Sequence, residues 1–347
     1  MNAPRIAIVG TGANGAGIGA DLTRAGHDVT FIEQWPAHVE AIKRNGISVT
    51  CEGTTTVTGV AAHHLCEVAT LRTPFDVVLI VLKAYDTRWG AELIRPLVAD
   101  DGIVVGLQNG MSLDDVAAVV GVERTLGGVI ELGSNMYEPG FVNRDTPPSR
   151  TWFAVGSDNP VAHAHAPRVA ELLNAVGTAV VSDNIRADKW MKLILNAAEL
   201  VPSAILGISI VEAARIPQMR EFMLEAGREA IAAAATVGYS VRPIIGMENV
   251  DPENPEQFLQ DIFELLLSHF ALPDSKATVL QDWEKHRRSE VDQINGLVVE
   301  TLARVGRRAP VNEAAVELAH RIELGDLQPS VSLMDAFASA VSTRSTS

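Results

Sequence analysis

Residues 6–33 read IAIVGTGANGAGIGADLTRAGHDVTFIE, and their pattern decides the fold of the N-terminal half. The apolar run Ile6–Val9 reads as a buried strand. Gly10-Thr11-Gly12-Ala13-Asn14-Gly15 then supplies a G-x-G-x-x-G turn that opens a helix. Gly26 and His27 break that helix, and Val29–Ile32 form a second strand ending on Glu33. Each glycine has its own task in such a turn. Gly10 permits the tight bend, Gly12 lets backbone approach a pyrophosphate, and Gly15 allows close helix–strand packing. The helix start adds unpaired N–H groups and a positive dipole end. An acid about 20 residues beyond the first glycine accepts ribose hydroxyls. Strand, turn, helix and strand-terminal acid together predict a dinucleotide site.

The rest of the chain narrows the class of protein. Its 347 residues suffice for two domains, and 47% apolar with 20% charged residues is ordinary for a soluble globular protein. A formal net charge of −15 argues against nucleic acid or an anionic membrane as partner. It also requires a local cation for any anionic substrate. Cys51 and Cys66 form no CxxC motif, so neither a disulfide scaffold nor a zinc site is expected. The adjacent His63 and His64 point apart on a strand or helix and read as surface residues rather than as a metal pair. No signal peptide or bilayer-spanning apolar run is visible, which makes a cytoplasmic protein the expectation.

Short β-rich runs alternate with helical segments as far as Val181. Strands are predicted at Arg5–Val9, Asp28–Ile32, Ser48–Cys51, Val77–Val81, Ile103–Leu107, Thr125–Ile130, Thr151–Val155 and Thr178–Val181. Runs such as VVLIV (77–81) suit a parallel sheet buried on both faces. Gly140–Pro148 reads as a loop or hairpin returning to the sheet edge. From about Asn184 only amphipathic helical patterns remain, at Ile185–Leu200, Ile216–Val237, Pro255–Leu267, Ser275–Val305 and Asn312–Leu324, and the residues after Ala336 read as frayed. The expected architecture is an α/β Rossmann-type domain over residues 1–182 followed by an all-α domain over 183–347.

Chemistry is expected beyond the carboxyl ends of the strands and on the helices of the second domain. Lys83 follows one buried strand, and Gln108-Asn109-Gly110 follows the next. Lys192, Asn196 and Glu199 are spaced i, i+4, i+7 and share one stripe of an otherwise apolar helix. A buried polar stripe with a lysine is costly unless it faces a cavity or finds partners. Glu290 sits in a densely charged segment, and periodicity alone reads it as a solvated face. Thr278 lies twelve residues before it, off any shared helical stripe.

Together GTGANG (10–15), LKAYDT (82–87), LQNGM (107–111), KWMKLILN (189–196) and LQDWEKHRRSEVDQING (280–296) make the chain resemble the ketopantoate reductase family along nearly its full length. The resemblance implies a Rossmann domain joined to a helical domain like that of 6-phosphogluconate dehydrogenase, in a homodimer. It implies Lys192 as general acid, Asn196 and Thr278 as substrate-binding residues, and Asn109 near nicotinamide and substrate. Glu290 would contact substrate and cofactor-side groups, Lys83 would lie near the cofactor, and Gly10, Gly12, Ala13, Asn14 and Gly15 would hold it. Hydride transfer to a ketone builds charge on oxygen, which an ammonium both stabilises and protonates. The free lysine pKa of about 10.4 should be lowered by burial for that task.

Two departures from the family pattern direct the reading. Gln34 stands where an arginine pairs with the 2′-phosphate of NADP, and Glu33 precedes it, which predicts NAD over NADP unless Lys43 or Arg44 reaches round to that position. A further asparagine expected eight residues after the lysine is replaced by Leu200, with Glu199 beside it and Pro202 displaced by one. Loss of that polar contact points to a bulkier, less polar ketone or secondary alcohol. Reduction of ketopantoate itself, an opine-type dehydrogenase and an NAD-binding sensor are the alternatives. No metal is expected.

Overall fold

The computed structural model describes residues 4–345, which divide into two compact units between Arg186 and Ala187. The first unit is built on an eight-stranded sheet. Its strands are β1 (Arg5–Val9), β2 (Asp28–Glu33), β5 (Ala61–His64), β6 (Phe75–Ile80), β7 (Val98–Gly106), β8 (Thr125–Glu131), β11 (Trp152–Gly156) and β12 (Thr178–Val181), ordered β12-β11-β8-β7-β6-β1-β2-β5. From β8 to β5 all neighbours are parallel, while β11 runs antiparallel to β8. The order reverses between β1 and β6, a switch point in the sense that leaves a crevice outside the strand ends.

The continuous apolar runs are explained by two cores, one on each sheet face. Ile6, Ile8, Val77, Leu79, Ile103 and Val105 pack on one side. Ala7, Val9, Val78, Ile80 and Val104 pack on the other. Alternation of side chains along a strand puts successive residues on opposite faces, so neither face can be polar here.

A second sheet of four strands lies outside the expected architecture. It consists of β3 (Ile47–Cys51), β4 (Thr54–Thr58), β9 (Ser134–Glu138) and β10 (Phe141–Arg144) in the order β4-β3-β10-β9. Gly140–Pro148 therefore does not return to the edge of the main sheet. Its first residues pair in parallel with β3, from Phe141↔Ser48 to Arg144↔Cys51. Buried Arg144 explains the placement: its guanidinium meets Asp21 on the helix Ala13–Arg24, Thr151 Oγ1 at 2.8 Å and the Val176 carbonyl at 3.0 Å. At the far edge β4 is Thr-Thr-Thr-Val-Thr with its first four residues exposed. His63 and His64 lie partly exposed on the edge strand β5, where His64 contacts Glu40 at 2.8 Å.

The second unit is helical. The expected helix Ser275–Val305 is instead broken into Thr278–Glu284 and Leu297–Ala303, with a π-helical turn at Asp292–Gly296. His286 adopts a left-handed φ of 55°, and Arg287 N–H donates back to the Asp282 carbonyl at 2.8 Å. Glu323 then captures the emerging chain through Ser289 N–H (2.8 Å), Ser289 Oγ (2.6 Å) and Trp283 Nε1–H (3.1 Å). Residues beyond Ala336 are not frayed: Met334–Ser345 is a helix. Phe337, fully buried edge-to-face on Phe222 at 5.0 Å, anchors it; Thr346 and Ser347 lie outside the described residues. Among the described residues no helix is long and apolar enough to cross a membrane.

Candidate active site

The glycine turn follows β1, and each glycine meets a different constraint. Gly10 has φ 89°, and a Cβ there would lie 2.6 Å from Leu82 Cδ2. A Cβ on Gly15 would sit 2.1 Å from the Gly10 carbonyl oxygen. Gly12 differs. Its φ is −58°, and a Cβ on it would meet nothing within 4 Å. The fold thus needs glycine at 10 and 15 but not at 12, where space is left in front of the backbone. The helix Ala13–Arg24 starts at that space, with no side-chain cap and no acid in its first turn. N–H groups at a helix start have no intrahelical acceptors and suit an anion. These residues fit the pyrophosphate of a dinucleotide. Asn14 Oδ1 accepts from Ser134 Oγ of β9, so the second sheet supports the turn.

Glu33, at the end of β2, is only 6% exposed. Its Oε2 accepts from Thr11 N–H (2.7 Å) and Thr11 Oγ1 (3.0 Å), and its Oε1 from Gln34 N–H (2.8 Å) and Trp35 N–H (2.9 Å). These donors are neutral dipoles, so the carboxylate charge is not cancelled by a cation among them. Gln34 is exposed. Lys43 is engaged with Glu67 through two contacts of 2.8 Å rather than reaching round to this position.

Two further strand ends lie beside the turn, because β6 and β7 follow β1 in the sheet. Lys83, half-buried, precedes a 3₁₀ turn at Ala84–Asp86. Gln108 Nε2–H donates to Thr87 Oγ1 at 2.9 Å, and Gln108 Oε1 accepts from Ser112 Oγ at 3.2 Å. Buried Gln108 thereby ties the loop after β6 to the loop after β7. Half-buried Asn109 follows it, next to Gly110 with φ 69°. Gly10–Gly15, Glu33, Lys83 and Asn109 are thus gathered at the carboxyl ends of four adjacent parallel strands.

In the second unit the helix Ile185–Ile205 carries the expected stripe. Lys192 is 9% exposed, Asn196 2% and Glu199 3%. Lys189 and Asp188 on the same helix are also buried, and Asp188 pairs with Arg242 at 3.0 Å. Glu290 is 4% exposed, which overturns its reading as a solvated face. The helix break leaves Arg287 and Arg288 exposed but turns Glu290 inward, next to the π-helical turn whose Gln293 and Ile294 N–H groups donate to its carbonyl at 3.0 and 3.1 Å. Thr278 opens the preceding helix, and its Oγ1 is buried without a hydrogen-bond partner among the described residues.

A polar lattice that spacing did not reveal holds this half together. Asn295 Nδ2–H donates to the Ala197 carbonyl (3.0 Å) and to Asn312 Oδ1 (2.8 Å). Glu229 accepts from Val311 and Asn312 N–H groups, both at 2.9 Å, and from Asn312 Nδ2–H at 2.6 Å. The turn bearing Glu290 is thereby fastened to the helix bearing Asn196, one residue from Ala197. Burial pushes the Glu229 carboxyl up, against these three donors. Asn295 stands inside the Gln293-Ile294-Asn295-Gly296 motif, which was its only visible signal. Asn312 and Glu229 carried none. Among the described residues no cluster of histidine, cysteine and carboxylate could hold a metal.

Known proteins match this arrangement along the chain. A sequence family described as Ketopantoate reductase PanE/ApbA matches residues 6–158, and its C-terminal counterpart matches residues 184–323. A 2-dehydropantoate 2-reductase of Archaeoglobus fulgidus is 27% identical over 94% of this chain and all of its own length. A ketopantoate reductase of the same family from Ralstonia eutropha JMP134 superposes with a TM-score of 0.76 at 26% identity, over 92% of this chain and 99% of its own. The fold is shared as well with a D-mandelate dehydrogenase solved with NADH and anilino(oxo)acetate, with a TM-score of 0.80 at 22% identity over 92% and 99% of the two chains. Glycine turn, lysine-bearing helix and matches to both portions of the family lead to one conclusion: this chain belongs to the ketopantoate reductase family and is a nicotinamide-dependent oxidoreductase of ketone and CH–OH groups.

Proposed function

We propose that the chain is an NAD-preferring reductase of a ketone bulkier or less polar than ketopantoate, with Lys192 as its general acid. The observation that carries this reading is the stripe Lys192–Asn196–Glu199, an ammonium nine-tenths buried among apolar neighbours on the helix Ile185–Ile205. Burial of that kind is costly for structure alone and is expected where charge develops in a reaction. When bound, the nicotinamide supplies the hydride. Gly12 and the N–H groups of Ala13, Asn14 and Gly15 hold the pyrophosphate. Lys83 and Asn109 orient the nicotinamide end. Lys192 stabilises the negative charge on the substrate oxygen and gives it a proton; in the reverse direction its neutral amine takes the proton from the alcohol. Asn196, Glu199, Thr278 and Glu290 line the substrate side, and buried donors and acceptors of this kind reject substrates that leave them unpaired.

The preference for NAD rests on Glu33, whose charge repels a 2′-phosphate, and on exposed Gln34, which offers no compensating cation. The substrate assignment rests on Leu200, a buried apolar residue at the wall position of the family's second asparagine.

The test is a panel of 2-keto acids, aryl ketones and their alcohols, ketopantoate included, followed by absorbance of the reduced cofactor with NADH and NADPH separately. Turnover of a bulkier ketone above ketopantoate, with NADH bound more tightly than NADPH, is the expected result. Ketopantoate as best substrate would establish the second reading, which the 2-dehydropantoate 2-reductase names of its relatives favour. Tighter NADPH binding would overturn the cofactor assignment.

A further inference from the structure

We propose that His38, as the neutral tautomer protonated at Nε2, is a positioning residue of the cofactor turn, clamping it to the hairpin of the second sheet. His38 is fully buried. Its Nδ1 lies 2.9 Å from Gly140 N, and a backbone N–H can only donate, so Nδ1 must be the unprotonated acceptor. Its Nε2 lies 2.9 Å from the Thr11 carbonyl oxygen, which can only accept, so Nε2 must carry the proton. Both partners are backbone groups, and together they leave one tautomer. Trp35 stacks on the ring at 5.7 Å between centroids and holds its plane.

The consequence lies at Thr11. Its N–H and hydroxyl go to Glu33, and its carbonyl goes to His38. The residue between Gly10 and Gly12 is thus held on both sides before any nucleotide arrives. Preorganisation of this sort lowers the ordering cost of binding. Gly140 itself has φ 84°, and a Cβ on it would lie 3.0 Å from Ala41 Cβ, so the hairpin meets the histidine's helix closely.

Protonation would turn the Nδ1 acceptor into a donor facing Gly140 N–H and break the clamp on the hairpin side. Glu33 is the charged side chain whose field reaches the ring, and it favours protonation; burial opposes it and prevails. On the histidine's own helix, Glu40 and Lys43 are engaged with His64 and Glu67. The hairpin and the glycine turn offer backbone groups alone, Gly140 N–H and the Thr11 carbonyl.

The inference rests on the cofactor lying at the Gly10–Gly15 turn, and the experiment separates the two. NAD⁺, stable in acid, is titrated by calorimetry from pH 8 to pH 5 into the wild type, His38→Gln, His38→Phe and Gly12→Val. At pH 8, where the imidazole is neutral, the wild type and His38→Gln should bind within about twofold of each other. His38→Gln, whose amide can donate and accept without titrating, should vary less than twofold, and His38→Phe should bind about five- to tenfold more weakly throughout. Wild-type affinity in a folded His38→Phe would overturn the role. ¹⁵N shifts of the wild-type imidazole report the tautomer directly, and a proton on Nδ1 at pH 7.5 would overturn it whether or not a variant folds. Unchanged binding by Gly12→Val would overturn the placement of the cofactor, while the tautomer stays readable in the free protein.

Discussion

At the scale of single residues, Lys192 and Glu33 carry opposite kinds of prediction. Lys192→Ala should lower kcat by at least about 10³-fold, because it removes the proton donor and the charge that stabilises the oxyanion. NADH affinity should change less than about threefold, since the glycine turn lies in the other unit. Stopped-flow turnover and fluorescence titration on one preparation check both halves. Glu33 is less simple than its place at a strand end suggested. Because it holds Thr11 through two bonds and the following backbone through two more, Glu33→Ala should weaken NADH binding through the loosened turn and NADPH binding less, since repulsion of the 2′-phosphate goes with the charge. Gln34→Arg leaves those bonds alone and adds a cation at an exposed position. It should bring NADPH binding at least about fivefold closer to NADH, as charge-assisted bonds to phosphate do; a parallel change in both cofactors would refute this.

At the scale of elements, the ion pair Arg144–Asp21 joins the second sheet to the first helix. Both side chains are buried, and the guanidinium also satisfies the Thr146 and Val176 carbonyls at 2.8 and 3.0 Å. Burial already pushes the Asp21 carboxyl up against the pull of Arg144. Asp21 keeps Arg24 as a second partner, so Arg144→Met should cost about 1–3 kcal/mol, chiefly for the acceptors at Thr146, Thr151 and Val176 left without their donor. Asp21→Asn with Arg144→Met should cost less than the two single changes added together, measured by urea unfolding as a double-mutant cycle. The main sheet and the helix Ile185–Ile205 were legible because their apolar periods are long and uninterrupted. Strands β4, β5, β9 and β10 were not: Thr54–Thr58 and Ser134–Glu138 are short, polar and half-exposed, and only their partners make them strands. Glu290 was misjudged for the same kind of reason. Its burial follows from Glu323 drawing Ser289 out of the helix, a contact 34 residues distant in sequence that no local pattern encodes. The candidate residues themselves were visible through motifs, whereas the lattice Asn295–Asn312–Glu229 that braces them was visible only in three dimensions.

At the scale of the whole molecule, one group links cofactor geometry to acid stability. Burial holds His38 below its ordinary value near 6.5, so between the folded and unfolded values the unfolded chain binds the extra proton. Stability is then fully present above about pH 6.5 and is lost as pH falls through the window below it. The loss attributable to His38 should approach ~1.4 kcal/mol per pH unit there. Urea midpoints at pH 7.5 and 5.5 should separate more for the wild type than for His38→Gln; an equal separation would remove His38 as the cause. The outer strand β4 has a different consequence for the molecule. Thr54–Thr58 carries no charge and no proline, has no strand paired on its outer side among the described residues, and leaves four of its five residues facing water. Natural sheets blunt such margins with lysines or bulges. Here a row of β-branched side chains and outward backbone groups offers a template for another extended chain. Net charge keeps whole molecules apart, so this seam should govern how the protein behaves where repulsion is screened, in concentrated solution at high salt.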